Sequence, residues 1–166
     1  MSEHTQTDKL SAHSIEEIEL CLKKYPPEQK RSAVLSALQV AQHQNHGFVT
    51  KDLMDDIARV LELPPVQVYE VATFYSMFET KPCGRLHVSV CTNISCMLMG
   101  SDSILEHVEK KLGVKVGEST SDGKFYLKKE EECLAACAGG PMMMIDHKYY
   151  EALTPAKVDE ILDNLD

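Results

Sequence analysis

The chain has 166 residues, a length that suits one substantial hydrophobic core or two small ones. Its 43% apolar and 26% charged residues are ordinary for a globular protein. The formal net charge of −9 repels phosphate backbones and anionic lipid, so we expect no nucleic acid partner and no bare membrane surface. No apolar run approaches the ~20 residues that a membrane-spanning helix needs, so direct membrane insertion is not expected.

The N-terminal segment lacks the features of a targeting sequence. Its first twenty residues contain no arginine and five acidic residues, unlike a secretory signal or an Arg-rich transit peptide. We expect residues 1–13 to form a flexible N-terminus and the chain to remain in the reducing compartment where it is made. In that setting the six cysteines are more often metal ligands or reactive thiols than disulfide partners.

Residues 14–80 show helical periodicity throughout and predict a small helical bundle. The first helix is predicted to begin at a capping box of Ser14 and Glu17, whose side chains each satisfy a free backbone N–H. Turn and capping residues mark the starts and ends of three further predicted helices: Glu28, Gly47, Thr50, Pro64, Pro65 and Phe78.

Beyond residue 80 the periodicity changes and predicts an α/β domain over residues 81–166. Leu86, Val88 and Val90 alternate with other residues, the period of two that marks a half-buried strand. A helix is predicted to start at a capping box of Ser103 and Glu106 and another after Thr154, with further strands at 124–128, 142–145 and 149–153. The predicted fold class is therefore α+β: a helical bundle followed by a small α/β domain.

Four cysteines occur as two spaced pairs, each predicted to follow a strand. Cys91 and Cys96 form a C-x4-C loop, and Cys133 and Cys137 form a C-x3-C loop. If the two strands are neighbours in a sheet, both loops emerge at one end and converge on one metal centre. A 2Fe–2S cluster requires four thiolates, which two cysteine pairs supply. The small and polar loop residues also let backbone N–H groups approach the sulfurs.

Three simpler roles are less consistent with the spacing of these cysteines. Structural zinc also accepts four thiolates, but zinc sites favour tighter C-x2-C hairpins. A redox-active dithiol would require a C-x-x-C pair. Unrelated buried cysteines would not be expected in two pairs at strand ends. Of the remaining cysteines, Cys21 suits a packing role in the first helix, and Cys83 is a minor candidate for a spare ligand.

Several motifs in combination are typical of one known family. The segments 71–78 (VATFYSMF), 81–84 (KPCG), 90–96 (VCTNISC) and 132–137 (ECLAAC) resemble the E subunit of respiratory NADH:quinone oxidoreductase, complex I. The resemblance covers nearly the whole chain. It implies a helical N-terminal bundle followed by a thioredoxin-like 2Fe–2S ferredoxin domain. It also implies that Cys91, Cys96, Cys133 and Cys137 ligate one cluster.

The resemblance also implies partners and a role. Members of this family pair with a flavoprotein subunit that binds NADH and FMN, and with other peripheral-arm subunits of complex I. We therefore expect an electron-transfer subunit with no catalytic residue of its own, in the bacterial cytoplasm at the inner membrane through the larger complex. Alternatives are the equivalent subunit of an NAD-reducing hydrogenase or formate dehydrogenase, and a free-standing ferredoxin.

Two local features also follow from the resemblance. Relatives often have glycine where this chain has Ala135 and Ala136, so the second cysteine loop is expected to be more constrained, with no consequence for ligation. Thioredoxin-like folds often carry a cis-proline before a central strand, and Pro141 occupies that position. The Gly140–Pro141 peptide is therefore predicted to be cis.

Overall fold

The computed structural model describes residues 9–128 and 133–165. The chain divides into two compact units, residues 1–82 and 83–166. The first is helical, and the second combines helices with a four-stranded sheet, which confirms the predicted α+β class. Among the described residues, no helix is both long enough and apolar enough to span a bilayer.

Within its described residues, the helical unit contains four α-helices and one 3₁₀ segment. The helices are α1 (Ala12–Leu22), α2 (Val34–Gln44), α3 (Lys51–Leu61) and α4 (Pro65–Phe74), and the 3₁₀ segment is Pro27–Ala33. Their apolar faces share one core, whose fully buried members include Ile18, Leu38, Leu53, Ile57 and Val68. Burial of these side chains supplies the main stabilising term, about 1.5–3 kcal/mol for each large one.

Helix α1 begins earlier than predicted. Its cap is Ser11, whose hydroxyl oxygen accepts a hydrogen bond from the backbone N–H of Ser14, so the predicted capping box at Ser14 is wrong. The physical reason is tertiary: the backbone N–H of Leu10 donates to Asp56 on α3, and Leu10 is buried. Of the predicted flexible N-terminus 1–13, residues 1–8 lie outside the described residues.

The other predicted helices of this unit are present at the predicted positions, but some of their ends differ from the prediction. The side chain of Thr50 caps α3 as predicted, accepting from the N–H of Leu53. The second predicted helix divides into the 3₁₀ segment and α2, with a non-helical residue at Gln29. The fourth ends at Phe74 and not at Phe78, because Tyr75 takes an extended conformation.

The second unit contains a mixed sheet in the order β2-β1-β3-β4. Its strands are β1 (Leu86–Val90), β2 (Phe125–Leu127), β3 (Met143–Ile145) and β4 (Lys148–Tyr150). β1 runs parallel to β2 and antiparallel to β3, with Val88 opposite Leu127 on one side and Ile145 on the other. The first two strands are therefore neighbours, which is the condition for the two cysteine loops to emerge at one end of the sheet.

The described residues of this unit also form three α-helices, α5 (Ile94–Leu98), α6 (Ser101–Leu112) and α7 (Pro155–Asp163), and a short 3₁₀ segment, Cys137–Gly139. Thr154 caps α7 as predicted, but α6 begins at Ser101 after Gly100, so the predicted capping box at Ser103 is wrong. β3 lies within the predicted strand 142–145, whereas β4 begins one residue before the predicted strand 149–153 and ends three residues before its end. The Gly140–Pro141 peptide is cis, as predicted.

The core of the sheet unit lies between one face of the sheet and helices α6 and α7. Leu86, Val88 and Val90 pack there with Ile104 and Val158. β1 is more buried than the expected half, since Ser89 is also buried. The central position of β1 places the chain that follows it at the carboxyl edge of the sheet.

Candidate metal centre

The first cysteine pair directly follows the central strand. β1 ends at Val90, and the backbone N–H of Cys91 continues the ladder by donating to the carbonyl of Met142 (3.1 Å). The side chain of Asn93 accepts from the N–H of Ile94 and starts the short helix α5, which carries Cys96. This turn presents both thiols toward the interior.

The first pair belongs to a small hydrophobic cluster of its own. Cys91 and Cys96 are 2% and 1% exposed, and they pack against Leu134 and Met142. Leu134 lies between the two cysteines of the second pair, so the cluster already includes both loops. The chain thus packs the first pair like core residues.

The second pair lies at the surface. The Sγ atoms of Cys133 and Cys137 are 3.6 Å apart, and both residues are exposed. Between them Ala135 takes a left-handed backbone conformation with φ of 60°, and its N–H donates to the Sγ of Cys133 (3.4 Å). The left-handed region is costly for any residue with a Cβ, so the expected constraint in this loop is present.

The two loops meet, because Leu134 of the second loop lies in the same buried cluster as Cys91 and Cys96. Burial raises the pKa of the Cys91 thiol. Hydrogen bonds from the backbone N–H groups of Leu134 and Asn93 lower this pKa, and so do the thiols of Cys96 and Cys133. Together these hydrogen bonds outweigh burial, so the pKa of Cys91 is lowered overall. Leu134 belongs to the second loop, so a donor from that loop reaches the first pair. All four sulfurs therefore occupy one region at the edge of the sheet.

Cys96 and Cys133 carry the opposite shift. Burial and the neighbouring Cys91 thiol raise the pKa of Cys96 to about 11, against a lowering contribution from the N–H of Met142. For Cys133, the N–H of Ala135 lowers the pKa, but the Cys137 thiol and burial outweigh it and raise the pKa overall. Neighbouring thiols in such a group oppose one another's ionisation, and a bound metal cation would stabilise all of them as thiolates.

The donor set fits a 2Fe–2S cluster. Within residues 9–128 and 133–165, no three His, Cys, Asp or Glu side chains are placed to hold a single metal ion. A binuclear cluster requires only two thiolates at each iron, and four cysteine thiols are brought together here. A Cβ added to Gly140 would lie 3.3 Å from the Sγ of Cys96, so glycine keeps this wall of the site open.

The two remaining cysteines have different surroundings. Cys21 lies in α1 of the helical unit. The Sγ of Cys83 contacts the Nε2 of His87 at 3.2 Å, near the start of β1. His87 precedes Cys91 by four residues along a strand, roughly 13 Å. Burial lowers the pKa of His87, only partly offset by Asp146.

Sequence reasoning named all four thiols but missed two backbone donors. Leu134 and Met142 direct their N–H groups at sulfur, whereas the small loop residues were expected to do so. Asn93 and Ala135 do act in that way. The only sequence signal for Met142 is its position just after the Gly139-Gly140-Pro141 turn.

Comparison with known proteins agrees with this geometry. The model of the thioredoxin-like [2Fe-2S] ferredoxin family matches residues 18–166. The E subunit of the NADH-quinone oxidoreductase of Rickettsia bellii is 49% identical over 87% of this chain and 86% of its own. The E subunit of Rickettsia felis is 46% identical over 98% and 95%, and an E subunit of Rhizobium meliloti is 42% identical over 90% and 86%.

A solved structure shares the fold. A chain of an NAD⁺-reducing [NiFe]-hydrogenase in the air-oxidised state superposes with a TM-score of 0.67 at 18% identity. The match covers 84% of this chain and 24% of the hydrogenase chain. This protein therefore spans about a quarter of that relative, and the likeness concerns the fold alone.

Proposed function

The chain belongs to the thioredoxin-like [2Fe-2S] ferredoxin family, and on that basis we propose that it is the electron-transferring E subunit of an NADH:quinone oxidoreductase. The observation that carries the proposal is the convergence of Cys91, Cys96, Cys133 and Cys137 at one edge of the sheet, in a chain 42–49% identical to E subunits of that enzyme. These four cysteines would hold one 2Fe–2S cluster.

The cluster, when bound, accepts and releases single electrons without bond rearrangement in the protein. The chain's own part is to hold four thiolates and to direct backbone N–H groups at them. The N–H groups of Asn93, Leu134 and Ala135 have this role at the sulfurs of Cys91 and Cys133. Such hydrogen bonds stabilise negative charge on sulfur and are among the determinants of a cluster's reduction potential.

The electrons must come from another protein. The 166-residue sequence has neither a P-loop nor a GxGxxG fingerprint, so we propose that NADH and FMN are bound by a partner flavoprotein subunit. Next to the thiols, α5 exposes apolar side chains: Ile94 is 64% and Leu98 is 79% exposed. Clustered exposed apolar residues are typical of a protein interface, so α5 is a suitable place for the partner to approach.

The assembly would place the chain beside a membrane without insertion. We propose that it lies on the cytoplasmic side of the bacterial inner membrane, attached through the flavoprotein and other peripheral-arm subunits of complex I. The supporting relatives are named as subunits of this oxidoreductase and match nearly the whole chain. The equivalent subunit of an NAD-reducing hydrogenase is less well supported, because that likeness has only 18% identity.

The cluster is tested by analysis of anaerobically purified protein. We expect a reddish-brown protein with equal amounts of iron and acid-labile sulfide, and an electron paramagnetic resonance (EPR) signal after one-electron reduction. Colourless protein with stoichiometric zinc and no labile sulfide would contradict the proposal.

The partnership is tested by co-expression with the flavoprotein subunit of the same complex. A stable one-to-one complex is expected on size-exclusion chromatography, and the double variant Ile94→Ser/Leu98→Ser should weaken it at least tenfold while the visible spectrum stays unchanged. The matched control is Val116→Ser, which alters an exposed apolar residue between α6 and β2. A full-length protein that stays monomeric beside the flavoprotein would favour a free-standing ferredoxin.

A further inference from the structure

Two consecutive glycines separate the cysteine site from a carboxylate that no part of the mechanism above uses. Gly139 and Gly140 follow Cys137 closely, in the turn that precedes Pro141. A Cβ would overlap neighbouring atoms at Gly139 and would be in tight contact with them at Gly140, and these atoms differ between the two glycines. The difference shows what lies on each side of this stretch of backbone.

The first glycine faces Glu151. A Cβ added to Gly139 would lie 2.5 Å from the Cδ and 2.7 Å from the Oε2 of Glu151. The backbone keeps the two segments together, because the N–H of Ala152 donates to the carbonyl of Gly139 at 2.6 Å. The carboxylate of Glu151 therefore lies directly against the turn that carries Cys137.

The second glycine faces the first cysteine pair. A Cβ added to Gly140 would lie 3.3 Å from the Sγ of Cys96 and 3.0 Å from the Sδ of Met99. Consecutive Cα atoms are 3.8 Å apart, so the Glu151 oxygen lies no more than about 13 Å from the sulfur of Cys96. The glycines contribute only backbone to the space between them.

The carboxylate of Glu151 has no cationic side chain paired with it among the described residues. Glu151 is also exposed. Lys157 is near, but its ammonium group donates to the backbone carbonyl of Glu151 at 2.6 Å. Within the part of the chain that the structure describes, a negative charge thus stands beside the site without a direct counter-ion.

We propose that the negative charge of Glu151 lowers the reduction potential of the cluster held by the four cysteines. Reduction adds one electron, delivered by a reduced flavin or by dithionite, and makes the cluster one unit more negative. A negative charge within about 13 Å of a ligand sulfur opposes this change through the Coulomb interaction. The inference rests on the proposed function, since it requires the cluster to be present.

The test is a redox titration of the Glu151→Gln protein, followed by its EPR signal. Glutamine has the shape of glutamate without its charge. At a fixed potential the ratio of reduced to oxidised cluster should rise three- to tenfold, a positive shift of about 28 to 59 mV for one electron. Because Glu151 is exposed, the shift should shrink by at least half between about 0.02 M and 1 M salt. A structural effect of the substitution would not depend on salt in this way.

The chain offers a matched control and an independent variant. Asp163→Asn also removes one negative charge, but Asp163 is the last residue of α7 and pairs with Lys111 near the C-terminal end of α6. This substitution should leave the reduction potential unchanged. Lys111 lies ten residues along α6 from Ser101, roughly 15 Å. Gly139→Ala keeps Glu151 but adds a methyl group where its flexible carboxylate now lies, so it should raise the potential by a smaller amount.

The outcomes separate the two proposals. Equal iron and sulfide with a salt-dependent positive shift in Glu151→Gln, and no further shift when Gly139→Ala is added to it, would support the inference. A normal cluster with an unchanged potential, or a shift equal to that of Asp163→Asn, would overturn it and leave the proposed function intact. A protein that holds no iron and no labile sulfide would overturn both.

Discussion

The two cysteine pairs, which we propose hold one cluster between them, lie in opposite environments. Cys91 and Cys96 are buried in a small hydrophobic cluster, and their turn is capped by Asn93. Cys133 and Cys137 are exposed, on a loop whose central Ala135 is in the left-handed region. One pair is thus part of the folded core, whereas the other lies at the surface where solvent and partner proteins have access.

Because of this difference in burial, loss of a thiol should have different effects in the two loops. Loss of a thiol from the first pair removes packing as well as a ligand, since these side chains fill space between Leu134 and Met142. Loss of a thiol from the second pair removes a ligand and little packing. The first pair should therefore couple ligation to folding of the sheet unit, and the second should control access to the metals.

Substitution of the cysteines should have the largest effect. Cys91→Ala, Cys96→Ala, Cys133→Ala and Cys137→Ala should each abolish the visible spectrum, because one iron loses a thiolate. In the cluster-free proteins, Cys91→Ala and Cys96→Ala should also lower the free energy of unfolding by about 1 kcal/mol more than the other two, as measured in urea. Cys21→Ala and Cys83→Ala serve as controls that keep their colour. If Cys83→Ala loses the cluster while Cys91→Ala retains it, the ligand set is wrong.

The second-largest expected effect is a difference in thiol reactivity between the exposed and the buried cysteines. In the cluster-free protein at pH 8, Cys133 and Cys137 should react with iodoacetamide at least ten times faster than Cys96, as followed by peptide mass spectrometry. Cys96 is buried, and burial raises the pKa of its thiol to about 11, so it stays protonated. Only about one thiol in a thousand is then the reactive thiolate at pH 8.

The alkylation rate of Cys96 should also depend on pH in a defined direction. The reaction rate of Cys96 should increase about tenfold per pH unit from pH 8 to pH 10, since its thiolate fraction grows over that whole range. A rate that levels off below pH 9, or equal rates for all four thiols, would contradict the difference in burial between the pairs.

The smallest effect concerns the strained backbone of the second loop. Ala135→Gly should raise the free energy of unfolding by about 0.5–1 kcal/mol, because glycine adopts φ of 60° without the penalty that a Cβ imposes. Urea unfolding of the cluster-free protein measures the change. Ala136→Gly is the matched control: Ala136 has a negative φ of −117°, so its substitution should stabilise nothing. A loss of stability in Ala135→Gly would show that its left-handed conformation carries no strain.

Local patterns were reliable where the cause of the structure is itself local. The caps Thr50 and Thr154 act as predicted, because a hydroxyl at an N-cap needs only the next turn as its partner. Gly113 ends α6 in a left-handed conformation for a similarly local reason. Patterns failed where another element decided the outcome: Ser11 replaced Ser14 as the cap of α1 while Leu10 bonded to Asp56 on α3.

Periodicity and residue spacing by themselves predicted the fold class and the four candidate ligands, since cysteine pairs after strands carry their chemistry in the sequence. The family was indicated by the resemblance of several motifs to known proteins. Only the tertiary structure decided that one pair is buried and the other exposed, that Leu134 and Met142 supply donors, and that Glu151 lies against Gly139. The physical reason is that burial, pKa and electrostatic potential depend on neighbours from distant parts of the chain, and these meet only when β3, β4 and the cysteine loops pack together.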